Sequence, residues 1–176
     1  RWHEAKIVPR KTDEVLIKTI VDTWIQRHGP PKDLVSDIEG GVFSWAAAKY
    51  FATHGIDLKP KPPVSNANYI ERRGAVLRDT INKMVTDIKA RKETHPQEPP
   101  LLDVKRDFHT ILAESVFAGN ALLSINGYSP YNAVYGRVPD ILPDLNCIDL
   151  PVDPHEGNLP GTIANTHRLR EIAVEA

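Results

Sequence analysis

Two short apolar runs, set between segments of helical periodicity, constrain the fold of this sequence more than any other feature. The first run, Leu34-Val35-Ser36-Asp37, ends in a carboxylate, and Glu39-Gly40-Gly41 comes shortly after it. Residues 56–59 form the second run. Runs of this length that are bounded by glycine or proline predict strands. A buried strand that ends in a carboxylate and opens onto a glycine turn is a common place for site residues in α/β folds. We therefore expect an α/β domain with Asp37 at the end of a strand.

The composition is that of one globular domain. The 176 residues are 41% hydrophobic and 26% charged, which excludes a collagen-like, coiled-coil or wholly disordered chain. The single cysteine, Cys147, excludes an internal disulfide framework and a cysteine-based zinc site. No apolar run approaches the length of roughly 20 residues that a membrane span needs, and no signal peptide is recognisable. We expect a soluble protein of a reducing compartment with no membrane partner.

Hydrophobic periodicity and breaker residues predict the remaining elements. We expect a further strand at residues 4–8, and helices at 13–28, 45–54, 70–92 and 101–125, a short helix after Ser129-Pro130, and a last helix over 166–174. Five prolines between Pro139 and Pro160 predict an extended segment. The expected organisation is a core over residues 1–138, a proline-rich linker over 139–165 and the start of a further helix over 166–176. Because the chain starts at Arg1 and its only methionine is Met84, we expect it to be a fragment.

The charge is unevenly distributed along the chain. The net charge is −1, but residues 59–106 carry eleven basic and six acidic side chains. An excess of lysine and arginine is compatible with a nucleic-acid partner, because contacts to phosphates supply most non-specific affinity. A solvated helix face accounts for the same charges equally well.

Asp37 and Glu71 are the candidate metal ligands. Asp37 ends a strand and Glu71 lies in the first turn of a long predicted helix. Mg²⁺ takes one or two carboxylates from a protein and fills its other positions with water and substrate phosphates. The alternatives remain open at this point: Asp37 can cap the turn that follows it, Glu71 can simply favour the positive end of its helix, and the pair can serve as acid and base of a glycosidase.

A longer pattern around these two residues resembles the catalytic cores of retroviral and LTR-retrotransposon integrases. The similar segments are Trp24-Ile25-Gln26-Arg27-His28-Gly29-Pro30-Pro31, Leu34-Val35-Ser36-Asp37, Phe43-Ser44, Gly55-Ile56, Glu71-Arg72-Arg73, Asn120, Gly127-Tyr128-Ser129-Pro130-Tyr131 and Tyr135-Gly136-Arg137-Val138-Pro139. They cover about residues 1–145 in the family's order, and the spacing from Asp37 to Glu71 falls just short of the separation that is usual there.

The resemblance implies an RNase H-like integrase core, with a mixed sheet flanked by helices, truncated at its N-terminus and followed by the extended proline-rich segment. It implies DNA integration within a retrotransposon polyprotein: a metal-dependent transfer that joins retroelement DNA ends to target DNA. Asp37 and Glu71 match the second and third acidic residues of the family's triad, so they are the expected catalytic residues and ligands of Mg²⁺ or Mn²⁺, with two ions in a complete site. Arg72, Arg73 and Arg78 match the basic region of the same helix and are expected to bind DNA.

Further expectations follow from the same resemblance. The partners are DNA and other copies of the protein, and the location is nuclear. The first aspartate of the triad has no match before Asp37, so we expect it to lie outside this sequence, and Ile38-Glu39-Gly40 departs from the small or amide residue usual after the second aspartate. Whether this polypeptide is an active enzyme is therefore open. The alternative is a decayed or domesticated integrase fragment that binds nucleic acid without catalysis.

Overall fold

The fold is α/β, mostly helical, with one small parallel sheet among the described residues. The computed structural model describes residues 2–37, 41–61, 68–94, 96, 102–124, 126–141 and 161–176. These residues divide into two compact units, one over Glu4–Arg72 and the other over the first three residues together with Arg73–Ala176. We call them the N-terminal unit and the C-terminal unit and describe each by itself.

The N-terminal unit begins with a helix that changes its hydrogen-bonding period. Helix α1 spans Asp13–Ile20, a π-helical segment spans Val21–Ile25, and helix α2 spans Gln26–His28. Gly29 ends the helix with a φ of 81°, a backbone conformation that glycine adopts without steric cost. The helix predicted over residues 13–28 is confirmed, whereas the π segment has no counterpart in the apolar pattern.

A strand–helix–strand unit follows and contains the sheet. Strand β1 spans Asp33–Ser36, helix α3 spans Trp45–Thr53 and strand β2 spans Asp57–Pro60. The two strands are parallel, in a register that pairs Asp33 with Asp57 and Ser36 with Pro60. Both predicted strands are confirmed, and α3 supplies the crossover that a parallel pair requires. Ser44 caps α3, since its hydroxyl accepts a hydrogen bond from the Ala47 backbone N–H at 3.2 Å.

The core of this unit packs the sheet against helices α1 and α3. Its buried residues are Val42, Ala47, Phe51 and Ile56, and the partly buried side chains packed on them are Leu16, Ile17, Ile20, Ile25, Leu34, Tyr50 and Leu58. Leu34 and Leu58 are register partners, so each strand turns one leucine toward the helices. The sheet and helices are therefore held in place by one continuous apolar cluster.

The C-terminal unit is helical in its described residues. Helix α4 spans Asn68–Thr94 and belongs to both units, helix α5 spans Phe108–Leu122, helix α6 spans Pro130–Tyr135 and helix α7 spans Gly161–Glu175. The core of the C-terminal unit is formed by Met84, Ile88, Ile111, Ala118, Leu169, Ile172 and Ala173. Within it, the guanidinium of Arg170 on α7 binds the nearly buried carboxylate of Glu114 on α5, with N–O distances of 2.6 and 3.2 Å.

One predicted strand is wrong, and two predicted helices begin several residues from their expected positions. Residues 4–8 do not form a strand, and the run is short and followed by Pro9, which has no N–H for a ladder. Helix α5 starts at Phe108 and not near residue 101, because the Asp103 carboxylate accepts the backbone N–H groups of Lys105 and Arg106 in a turn that competes with the helix. Helix α7 starts at Gly161, five residues before the predicted position. The proline-rich residues 142–160, with Cys147, lie outside the described residues.

The cap predicted at Ser129-Pro130 is confirmed. The Ser129 hydroxyl accepts the backbone N–H of Asn132 at 3.1 Å, and Pro130 occupies the first turn of α6.

Among the residues that the structure describes, no helix is both long enough and apolar enough to cross a bilayer.

The core packing generates a stability prediction for the N-terminal unit. Phe51 is fully buried, whereas the Trp45 side chain on the same helix is 78% exposed. Phe51→Ala leaves a cavity beside the sheet and should lower the free energy of unfolding by about 3–5 kcal/mol. Trp45→Ala is the matched control, and its cost should stay below about 1 kcal/mol. Urea denaturation followed by circular dichroism measures both values, and equal costs for the two variants would contradict this core.

Candidate functional site

The parallel ladder brings the residue after β1 next to the residue after β2. Ser36 and Pro60 are register partners at the ends of the strands. The ladder continues one step further, because the backbone N–H of Lys61 donates to the Ser36 carbonyl oxygen at 2.9 Å. The carboxyl ends of parallel strands lie at one edge of their sheet. Asp37 and Lys61 therefore leave the same edge side by side.

The Lys61 ammonium lies between the two predicted metal ligands. Its Nζ is 3.4 Å from Asp37 Oδ1 and 3.1 Å from Glu71 Oε1, and it donates a hydrogen bond to the Glu71 oxygen. The two carboxylate oxygens are consequently no farther apart than the sum of these distances. The structure thus brings Asp37 and Glu71 together within the N-terminal unit, from a strand end and from the first turn of α4.

Exposure differs among the three side chains. Asp37 is 71% and Glu71 63% exposed, whereas Lys61 is 32% exposed. The carboxylates therefore keep faces open to water on the sides that do not meet the ammonium. Exposed ion pairs of this kind stabilise a fold only weakly, because solvent screens them.

The two carboxylates raise the pKa of Lys61 above its ordinary value. The largest cause is the hydrogen bond to Glu71, while partial desolvation acts in the opposite direction and the Asp37 charge adds to the increase. A raised lysine pKa favours the charged form in the folded protein. The ion pairs therefore stabilise the fold below the ordinary lysine pKa, and this stabilisation is lost as the pH rises through the raised value.

The donor set fits a hard divalent cation. Two carboxylate oxygens already converge on one positive charge, and carboxylates are the protein ligands that Mg²⁺ and Mn²⁺ prefer. The exposure of both side chains leaves room for water and phosphate oxygens in the remaining positions. Among the described residues, no three His, Cys, Asp or Glu side chains are grouped so that they could hold a metal. Binding of Mg²⁺ or Mn²⁺, whether one ion or two, stays a prediction.

The three arginines predicted to bind DNA have different surroundings. Arg72 and Arg78 are exposed on α4. The Arg73 guanidinium is partly buried and donates to the Gly119 carbonyl oxygen at 3.2 Å within the C-terminal unit, and burial lowers its pKa. Arg73 therefore contributes to the packing of α4 on α5, while Arg72 and Arg78 present their charges to solvent. DNA binding by all three stays a prediction.

No protein-family model matches this chain, and no curated protein matches it. The likeness to integrase cores consequently depends on the segments quoted from the sequence. The likeness stays a prediction, and the structure itself shows a strand–helix–strand unit and the meeting of Asp37 with Glu71.

Lys61 is the site residue that the sequence interpretation missed. It belongs to a loop segment without apolar periodicity, so no hydrophobic pattern points to it. The two-residue period of a strand does indicate that Lys59 and Lys61 extend from the same face at the end of β2. Lys59 bridges two carboxylates as well, with Nζ at 2.6 Å from Asp33 and 3.3 Å from Asp57. Each of the two lysines thus bridges a pair of acidic residues.

The unequal contacts of Lys61 generate a prediction. Glu71→Gln removes the largest contribution to its raised pKa and should lower that pKa more than Asp37→Asn does. Asp57→Asn, which changes a partner of Lys59, should leave the pKa of Lys61 unchanged. A pH titration of the Lys61 side-chain resonance by NMR measures the three shifts. A larger shift from Asp37→Asn would show that the hydrogen bond to Glu71 is not the main cause of the raised Lys61 pKa.

Proposed function

We propose that this chain is part of a retroelement integrase core that joins retroelement DNA ends to target DNA, with an RNase H-like fold. The observation that carries the proposal is the convergence of Asp37 and Glu71 on one positive charge. These are the two residues that match the family's acidic positions, and 33 residues separate them in the sequence. Their proximity is what a metal site made from separate elements requires. The nuclear location and the assembly of several copies belong to the same proposal.

Asp37 and Glu71 would hold the divalent cation through their carboxylate oxygens. When bound, such an ion activates a water or hydroxyl oxygen and neutralises charge on the scissile phosphate. The residues themselves perform no covalent step: they fix the position of positive charge at the sheet edge. Rigidity comes from the ladder that holds the end of β1 and from the first turn of α4.

Arg72 and Arg78 would position the DNA backbone. Both are exposed on α4, where Arg72 directly follows Glu71 and Arg78 lies about two turns further along the helix. Residues seven apart on a helix are nearly aligned, so Arg78 shares the face of Glu71. Arginine forms paired hydrogen bonds with phosphate oxygens, and such contacts orient a duplex without reading its sequence.

The decisive prediction concerns DNA strand transfer by the protein extended upstream of Arg1, assayed in Mg²⁺ or Mn²⁺. Asp37→Asn and Glu71→Gln should each reduce strand transfer by at least about 100-fold, because either change removes a charged metal ligand. Asp57→Asn, on the same sheet but paired with Lys59, is the matched control and should keep full activity. Circular dichroism should show that all three variants remain folded. Unchanged joining by either ligand variant would contradict the assignment.

The same experiment separates the catalytic proposal from its alternative, a decayed fragment that binds nucleic acid without chemistry. That alternative predicts no strand transfer by the extended protein in either metal. It also predicts DNA binding that needs no metal and that weakens steeply with salt. Charge-removing substitutions of Arg72 and Arg78 would then reduce the salt dependence, whereas Asp37→Asn would have no effect.

A further inference from the structure

We propose that Lys61 is a built-in counter-ion of Asp37 and Glu71, which holds the two carboxylates together in the metal-free protein and is displaced when a divalent cation binds between them. The inference rests on the proposed function in one respect, because it takes this carboxylate pair to be the metal site. It adds a residue to that site and assigns it a role in metal affinity.

The sheet fixes the backbone position from which the Lys61 side chain extends. Its backbone N–H donates to the Ser36 carbonyl oxygen at 2.9 Å, so the Lys61 Cα is tied to the end of β1. From that position the side chain needs no loop movement to reach either carboxylate. Two carboxylates in such proximity repel each other, and the ammonium between them compensates the repulsion. Lys61 therefore preserves the geometry of the pair in the absence of metal.

The Lys61 ammonium can leave the two carboxylates without a change in the backbone. Both carboxylates are more than half exposed, so solvent weakens their ion pairs with the partly exposed Lys61 side chain. Lysine is a point charge on a flexible four-carbon chain, so it can turn into solvent without changing the backbone. A divalent ion carries twice its charge and takes the same oxygens. Lys61 thus competes with the metal and raises the metal concentration that binding requires.

Lys59 provides a control that the chain itself supplies. It lies two residues before Lys61, extends from the same face of β2, and bridges Asp33 and Asp57 in a comparable way. Removing either lysine changes the net charge of the sheet by the same amount. Only the Lys61 substitution removes the charge located between Asp37 and Glu71. A difference between the two variants therefore reports the local contact and not the overall charge.

The test is a Mn²⁺ titration of the 176-residue chain, followed by electron paramagnetic resonance of the free ion. The site is defined as the binding lost in the Asp37→Asn/Glu71→Gln double variant. Lys61→Met should tighten the Kd of this site by about fivefold, because a positive charge about 4 Å away no longer opposes the ion. Lys61→Arg keeps the charge and should stay within about twofold of the unsubstituted chain. Lys59→Met should also stay within about twofold.

Three results would overturn the inference: an unchanged or weaker Kd for Lys61→Met, an equal tightening by Lys59→Met, or no binding by either the original chain or Lys61→Met.

Failure of the counter-ion role can be distinguished from failure of the proposed function. If the extended protein joins DNA but Lys61→Met binds Mn²⁺ no more tightly, the counter-ion role is wrong and the integrase proposal stands. If Lys61→Met tightens binding but no strand transfer occurs, the counter-ion role stands and the function is wrong.

Discussion

Parallel pairing of β1 with β2 in a single register determines where Asp37 and Lys61 of the candidate site lie. Ser36 faces Pro60 across the ladder, and the following hydrogen bond from Lys61 to Ser36 extends the pairing past the proline. A shift of one residue would turn Lys59 and Lys61 to the opposite face and would exchange the leucines of the core for charged side chains. The apolar contacts of Leu34 and Leu58 with the helices prevent that shift. The buried face of the sheet thus fixes the geometry of its exposed end.

The two carboxylates have different supports, and the difference matters for their chemistry. Asp37 follows a strand whose backbone is tied on one side to β2. Glu71 lies in the first turn of a helix of 27 residues, where the aligned peptide dipoles favour a negative charge. Secondary structure therefore holds the backbone of each residue, while the two exposed carboxylates meet at the Lys61 ammonium. A site built in this way keeps the backbone of both residues in place when its counter-ion moves.

The sequence predicted elements well where hydrophobic periodicity was strong, as in the helix over residues 13–28, both strands and α6. It failed where polar side chains compete with the backbone, as at the turn formed by Asp103 before α5. Ile70, the first residue of the predicted helix over residues 70–92, is exposed, and α4 begins two residues earlier at Asn68. Asp37 and Glu71 were identified as candidates from their residue types and the family likeness. Lys61 was not, because its role depends on which residues the register brings together.

The most direct measurement is the position of Mn²⁺ in crystals of this chain, located by anomalous X-ray diffraction. The account predicts a bound ion that is contacted by carboxylate oxygens of both Asp37 and Glu71, with the Lys61 ammonium turned away from them. An ion bound only at other carboxylates, such as those of Asp33 and Asp57, would contradict it. A Lys61 bridge that persists between Asp37 and Glu71 at saturating Mn²⁺ would contradict it as well.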